Sequence, residues 1–76
     1  MTIIVYGRKN CIACRYTTRF LDKENITYTY VDVDKTQGPK LPAGIKELPH
    51  VVTPHENWSG FRIEKLKALA FLVADE

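Results

Sequence analysis

The sequence lacks the features that mark membrane, secreted and nucleic-acid-binding proteins. It has no apolar run of about 18 residues, so we expect no transmembrane helix. It has no basic leader followed by a long apolar stretch, so we expect no signal peptide. Eleven basic and nine acidic residues leave a formal net charge of only +2, which gives no reason to expect nucleic acid as a partner.

Cysteine is also scarce, since only two of the 76 residues are cysteines. Two are too few for the disulfide framework of a small secreted scaffold, so we expect a protein of the reducing cytoplasm. The hydrophobic content of 45% is enough for one core. We therefore predict a single domain spanning residues 1–76 and, because nothing in the sequence argues against it, a monomer.

The two cysteines, Cys11 and Cys14, lie between a β-type run at residues 2–6 and a helix-type pattern. A Cys-x-x-Cys motif at a strand-to-helix turn is typical of a dithiol redox site. The spacing puts both sulfur atoms on one side of the first helical turn, where a disulfide can form and open with little backbone movement. Two packed, inert cysteines are the plain structural alternative.

The first cysteine is placed to act as the nucleophile. A helix N-terminus stabilises a thiolate, and Arg8, Lys9 and Arg15 add positive charge nearby. We therefore predict a lowered pKa at Cys11, with Cys14 less exposed and its pKa closer to the ordinary value. Cys11 would attack a target disulfide, and Cys14 would resolve the mixed disulfide.

The first half of the chain predicts a β-α-β unit. A turn at residues 7–10, with Asn10 as the N-cap, leads into a helix over about residues 11–24 that Asn25 ends. Residues 26–33 alternate apolar and polar side chains and form the second strand, parallel to the first. The predicted buried face of the helix consists of Ala13, Tyr16, Thr17, Phe20 and Leu21.

The second half predicts a short helix, a hairpin and a last helix. Prolines in residues 34–48 allow at most a short helix over about 41–47. Strands at 50–53 and 57–58 flank a turn, and Ser59 is the predicted N-cap of the last helix. Trp58 and Ile63 would then form a hydrophobic staple, and the apolar face of that helix would consist of Ile63, Leu66, Leu69, Ala70 and Val73.

Two histidines leave a second class of function open, that of a zinc-binding docking module. His50 and His55 are spaced as in Cys2His2 zinc sites. However, 35 residues separate Cys14 from His50, against about 12–15 in the familiar finger. We therefore favour surface positions for both histidines and predict no metal site.

Together these features resemble the NrdH-redoxins, which are glutaredoxin-like proteins of the thioredoxin fold. The resemblance covers essentially the whole chain. It rests on the order β-α-β-(short α)-β-β-α, the Cys11-Ile12-Ala13-Cys14 motif, Pro49 before a strand and, most narrowly, the run from Trp58 to Arg62 that reads Trp-Ser-Gly-Phe-Arg. It implies an α/β domain with a four-stranded mixed sheet flanked by helices.

The resemblance also implies a function. Cys11 is the nucleophile of that family, Cys14 resolves, and Pro49 is a cis proline against their disulfide. The family donates electrons to ribonucleotide reductase for deoxyribonucleotide synthesis, and thioredoxin reductase re-reduces it with NADPH, so no bound cofactor is expected beyond the Cys11–Cys14 disulfide. We expect the partner to contact eight residues: Arg8, Lys9, Leu48, Pro49, Trp58, Ser59, Gly60 and Phe61.

A glutathione-dependent glutaredoxin is the alternative within the same class. Such proteins usually carry Thr-Val-Pro at the cis proline and a Gly-Gly pair followed by an acidic residue before the last helix. Here the corresponding stretches are Glu47-Leu48-Pro49 and the run from Trp58 to Arg62, so much of the glutathione site is missing. His50 after the proline also departs from the family, as does the short, proline-rich segment before it.

Overall fold

The computed structural model describes residues 2–34 and 47–74. Within them the chain forms an α/β domain with the predicted order of strands and helices. The short helix predicted over about 41–47 lies outside the described residues, apart from residue 47. The elements are β1 (Ile4–Gly7), α1 (Ile12–Lys23), β2 (Thr29–Asp32), β3 (His50–Val52), β4 (Asn57–Ser59) and α2 (Ile63–Ala74).

The four strands form one mixed sheet in the order β2-β1-β3-β4. β1 pairs with β2 in parallel, as predicted for a β-α-β unit. β3 pairs with β1 and with β4 in antiparallel fashion, and β3 and β4 form the predicted hairpin. The sheet therefore brings the end of β1, which precedes the cysteines, beside the beginning of β3, which follows Pro49.

The core lies where strands β1, β3 and β4 meet the two helices. Val5 and Val51, which pair across β1 and β3, are fully buried. Leu21 of α1 and Leu66 of α2 are fully buried as well, because their repeating positions form the apolar face of each helix. The core cluster consists of Ile3, Val5, Leu21, Ile26, Val51, Trp58, Leu66 and Leu69.

The last helix begins later than predicted, so the predicted N-cap at Ser59 is wrong. Ser59 is the last residue of β4 and pairs with His50, while Trp58 packs into the core instead of forming a staple with Ile63. Gly60, with φ of +83°, then redirects the chain, and α2 begins at Ile63. Strand pairing extended further than the sequence pattern indicated.

Candidate active site

Cys11 is itself the N-cap of α1, and its sulfur takes part in the cap. The Cys11 Sγ accepts a hydrogen bond from the backbone N–H of Cys14 at 3.2 Å. The predicted N-cap, Asn10, instead lies in the turn with φ of +60°, a left-handed conformation that asparagine tolerates better than most residues. As the N-cap, Cys11 places its sulfur where it can accept from the free N–H groups of the first helical turn.

The two cysteines differ in exposure, as predicted. Cys11 is half-buried, whereas Cys14 is only 2% exposed. Burial, together with a hydrogen bond to Cys11, raises the pKa of Cys14 to about 11, although a hydrogen bond with the backbone N–H of Arg8 acts to lower it. The predicted near-ordinary pKa of Cys14 is therefore wrong, because the side chain is more completely desolvated than its place one turn along the helix suggested.

Leu48 and Pro49 lie directly beside the nucleophile. The peptide bond between them is cis, as the resemblance implied. The Cys11 Sγ lies 3.9 Å from the carbonyl oxygen of Leu48, at the outer limit for a sulfur hydrogen bond. Pro49 itself is fully buried, so the loop presents backbone groups of Leu48 to whatever binds at Cys11.

The segment from Trp58 to Phe61 contributes to the site in a different way from that predicted. Trp58 is only 6% exposed and belongs to the core, so its side chain is not available to a partner. The Ser59 Oγ forms a 2.8 Å hydrogen bond with the His50 Nδ1. The N–H of Gly60 donates a 2.7 Å hydrogen bond to the carbonyl oxygen of Pro49, and only Phe61, 40% exposed, presents a large side chain to solvent.

An exposed apolar patch adjoins Cys11, and we define it as Ile12, Tyr16 and Phe61. Ile12 is 66% exposed and Tyr16 is 51% exposed, which corrects the prediction that Tyr16 belongs to the buried face of the helix. The rings of Tyr16 and Phe61 pack with their centroids 6.0 Å apart. Ile12 and Tyr16 are four residues apart on one helix and therefore share a face.

A pocket of about 430 Å³ lies on another side of the cysteines. Arg8 and Lys9, both predicted to contact a partner, line it, and Arg8 also forms an exposed ion pair with Asp34 at 3.4 Å. Such an ion pair contributes little to stability. The lining residues are Arg8, Lys9, Asn10, Cys11, Cys14, Arg15, Thr18, Tyr28 and Tyr30.

The histidines do not join the cysteines. His50 is 8% exposed, which contradicts the predicted surface position, and its Nδ1 lies 2.8 Å from the Ser59 Oγ. Burial lowers the pKa of His50, which favours the neutral ring. His55 is exposed, as predicted. Within residues 2–34 and 47–74, no three His, Cys, Asp or Glu side chains are grouped as a metal site requires.

Sequence reasoning missed two tyrosines that line the pocket beside the cysteines. Tyr28 lies just before β2 and Tyr30 lies within it, and both line the pocket together with residues of α1. The alternation of side chains over residues 26–33 was visible in the sequence. The register of β2 on β1, which brings Tyr30 to the side of Val5, was not.

Neither helix among the described residues is long and apolar enough to cross a membrane.

Comparisons with known proteins agree with this geometry. The glutaredoxin family model matches residues 3–55. The glutaredoxin-like protein NrdH of Salmonella typhimurium is 33% identical over 72 residues, covering 91% of this chain and 89% of the relative. The corresponding protein of Escherichia coli K12 is 31% identical over the same shares.

Solved structures give the same result. The NrdH-redoxin of Escherichia coli, described as having a thioredoxin-like activity profile, superposes with a TM-score of 0.79 at 27% identity, covering 91% of this chain and 95% of that one. A glutaredoxin from Archaeoglobus fulgidus superposes with a TM-score of 0.74 at 28% identity, covering 88% and 83%. The chain therefore belongs to the glutaredoxin family, in its NrdH-redoxin branch, and is a thiol–disulfide oxidoreductase of the thioredoxin fold.

Proposed function

We propose that this protein carries electrons from thioredoxin reductase to ribonucleotide reductase through the Cys11–Cys14 dithiol. The observation that carries the proposal is the position of the Cys11 Sγ. It is partly exposed at the start of α1, accepts the Cys14 N–H at 3.2 Å and lies 3.9 Å from the Leu48 carbonyl oxygen. Cytoplasmic deoxyribonucleotide synthesis is the setting that we propose for this transfer.

Reduction of the target proceeds in two exchanges. The Cys11 thiolate attacks one sulfur of the target disulfide, and the other target sulfur leaves with the electron pair. The Cys14 thiolate then attacks the Cys11 Sγ, the bond between Cys11 and the target breaks, and the second target sulfur leaves as a thiolate. Two electrons have moved to the target, the two target thiolates take up protons, and the carrier is left with a Cys11–Cys14 disulfide.

Cys11 itself controls when Cys14 becomes reactive. Burial is the largest cause of the raised pKa of Cys14, and in the reduced protein a hydrogen bond to Cys11 and the negative charge of Cys11 raise it as well. In the mixed disulfide Cys11 carries no charge, so the two causes that involve Cys11 disappear, while the backbone N–H and the positive charge of Arg8 still lower the pKa of Cys14. Forming the mixed disulfide therefore favours the thiolate that resolves it.

The apolar patch is the surface that we propose for docking of the protein partners. Ile12, Tyr16 and Phe61 are all at least 40% exposed. Ile12 follows Cys11 in the chain, and Phe61 packs on Tyr16. Aromatic side chains of this kind contribute much of the binding energy in protein interfaces. Arg8 and Lys9, on the pocket side, would favour an acidic segment of the partner.

Glutathione is the rival reductant. Glutathione-binding relatives usually have a Gly-Gly pair and an acidic residue before the last helix. Here that segment contributes the buried Trp58 and the Gly60 backbone instead. We therefore favour thioredoxin reductase as the reductant. The thioredoxin-like activity profile described for the Escherichia coli NrdH-redoxin supports the same choice.

Consumption of NADPH with a disulfide substrate tests the proposed route. One reaction contains thioredoxin reductase, and the other contains glutathione with glutathione reductase. We expect turnover with thioredoxin reductase and at most background turnover with glutathione. Turnover only with glutathione would contradict the proposed reductant, and the absence of turnover in both reactions would contradict the proposed carrier role.

A further inference from the structure

Gly7, the last residue of β1, leaves the space beside its Cα atom to two side chains, those of Tyr30 and Cys14. A Cβ atom at this position would lie 2.5 Å from the Tyr30 hydroxyl oxygen and 3.0 Å from the Cys14 Sγ. Both distances are shorter than ordinary van der Waals contacts. A side chain at residue 7 would thus displace one of the two, and the glycine is what allows the hydroxyl to approach the sulfur.

Tyr30 reaches this space from β2. It pairs with Val5 in the parallel register, and Gly7 lies on the same face as Val5 because side chains alternate along a strand. The Tyr30 ring lines the pocket together with Cys14. Among residues 2–34 and 47–74, the Tyr30 hydroxyl has no hydrogen-bond partner, whereas the Tyr28 hydroxyl donates to the Asp22 Oδ1 at 3.0 Å.

The Tyr30 hydroxyl is a proton-bearing donor at neutral pH. Burial raises the pKa of Tyr30 above its ordinary value, and negative charge on Cys14 raises it further. The Tyr30 hydroxyl can in turn stabilise the Cys14 thiolate, because a neutral hydroxyl can donate a hydrogen bond to a thiolate. A donor without another partner, next to a buried sulfur that must become an anion, is therefore positioned to stabilise that anion.

We propose that Tyr30 donates a hydrogen bond to the Cys14 thiolate during the resolving step, and that Gly7 provides the room for this donor. The inference rests on the proposed function, in which Cys14 resolves the mixed disulfide. The Cys14 proton passes to water in the pocket, and the thiolate then attacks the Cys11 Sγ. The new sulfur–sulfur bond forms as the bond to the target sulfur breaks, and the target leaves as a thiolate.

The two exchanges can be timed separately with the aromatic disulfide 5,5′-dithiobis(2-nitrobenzoate). Attack by Cys11 releases one coloured thiolate at a rate that depends on reagent concentration. Resolution by Cys14 releases the second in a first-order phase. We expect Tyr30→Phe to leave the first phase within about twofold and to slow the second about tenfold or more, as expected for loss of a hydrogen bond to a charged group.

The pH profile distinguishes this role from a merely structural one. In Tyr30→Phe, the second phase should reach half of its maximal rate at a higher pH than in the wild type. The matched control is Tyr28→Phe, which removes a hydroxyl from the same pocket but one that is bonded to Asp22. We expect this control to leave both phases and the pH profile unchanged.

Gly7→Ala provides an independent variant, since its methyl group should displace the Tyr30 hydroxyl. It should slow the second phase, and the double variant with Tyr30→Phe should be no slower than the slower single variant. An unchanged second phase in Tyr30→Phe, or equal slowing of both phases, would overturn the inference. If the wild type releases only one coloured thiolate and keeps a stable mixed disulfide, the proposed function itself fails.

Discussion

The N–H of Gly60 donates a 2.7 Å hydrogen bond to the carbonyl oxygen of Pro49. This bond fastens the loop that carries the cis peptide bond to the segment just before α2. One residue upstream, the Leu48 carbonyl oxygen lies 3.9 Å from the Cys11 Sγ. The backbone at Gly60 is therefore connected to the nucleophile through two residues, which explains how this segment shapes the site although its tryptophan is buried.

Replacing Gly60 by alanine should weaken both the fold and the site. Its φ of +83° is unfavourable for any residue with a Cβ, and we expect the free energy of unfolding to fall by about 1–2 kcal/mol. A shifted Pro49 loop should also slow turnover. Urea unfolding and the NADPH assay measure the two effects.

The double variant Gly60→Ala with Glu47→Ala is the control for Gly60. The added Cβ would lie 2.9 Å from the Glu47 Oε1, but this carboxylate ends an exposed, flexible side chain. We therefore expect the second substitution to recover little of the lost stability. Gly60→Ala with wild-type stability and turnover would contradict the account of this bond.

Phe61→Ala should impair exchange with proteins but not with small disulfides. The ring belongs to the apolar patch and packs on Tyr16, so its loss should raise the KM for thioredoxin reductase about tenfold. The rate with 5,5′-dithiobis(2-nitrobenzoate) should not change. The matched control is Phe71→Ala, which removes a phenylalanine that is 73% exposed on α2; equal KM values in the two variants would argue against docking at the patch.

The stability of the reduced protein should depend on Cys14 at alkaline pH. Burial raises the pKa of Cys14 from 9.0 to about 11 in the folded state, so between these values the unfolded chain loses the proton first. The contribution of the neutral thiol to the free energy of unfolding is complete below pH 9.0 and is lost as the pH rises to about 11.

Comparison with Cys14→Ser isolates this contribution from the titration of lysines and tyrosines. Urea unfolding of both proteins under reducing conditions gives the difference in the free energy of unfolding at each pH. We expect the wild type to lose stability relative to the variant as the pH rises through this window. A difference that stays constant with pH would show that Cys14 is not desolvated as described.

Local patterns in the sequence predicted the elements that bring the cysteines and Pro49 together. The apolar run before Cys11 predicted β1, and the residues after Pro49 predicted β3, and both strands are present. The cis bond before Pro49 was implied by the family resemblance, not by the local pattern. The N-caps at Asn10 and Ser59 were wrong because several polar residues near each helix start can serve as a cap. Strand pairing and backbone conformation decide among them.

Features that depend on register were not predictable from the sequence. Tyr30 lies far along the chain from Gly7 and Cys14, and only the parallel pairing of β1 with β2 brings them to one space. Trp58 is exposed or buried according to which face of β4 is turned towards the core. An isolated strand pattern does not specify that face, because a shift of one residue in register reverses it.

Trapping of the mixed disulfide with Cys14→Ser tests the central claim most directly. Without the resolving thiol, the first exchange should stop at a covalent adduct between Cys11 and a disulfide-bonded partner, and peptide mass spectrometry should place the linkage at Cys11. Cys11→Ser is the matched control and should form no such adduct under the same conditions. An adduct at Cys11 in the first variant alone is the predicted result; no adduct, or one that forms at Cys14 in the control, would contradict the assigned order of the two cysteines.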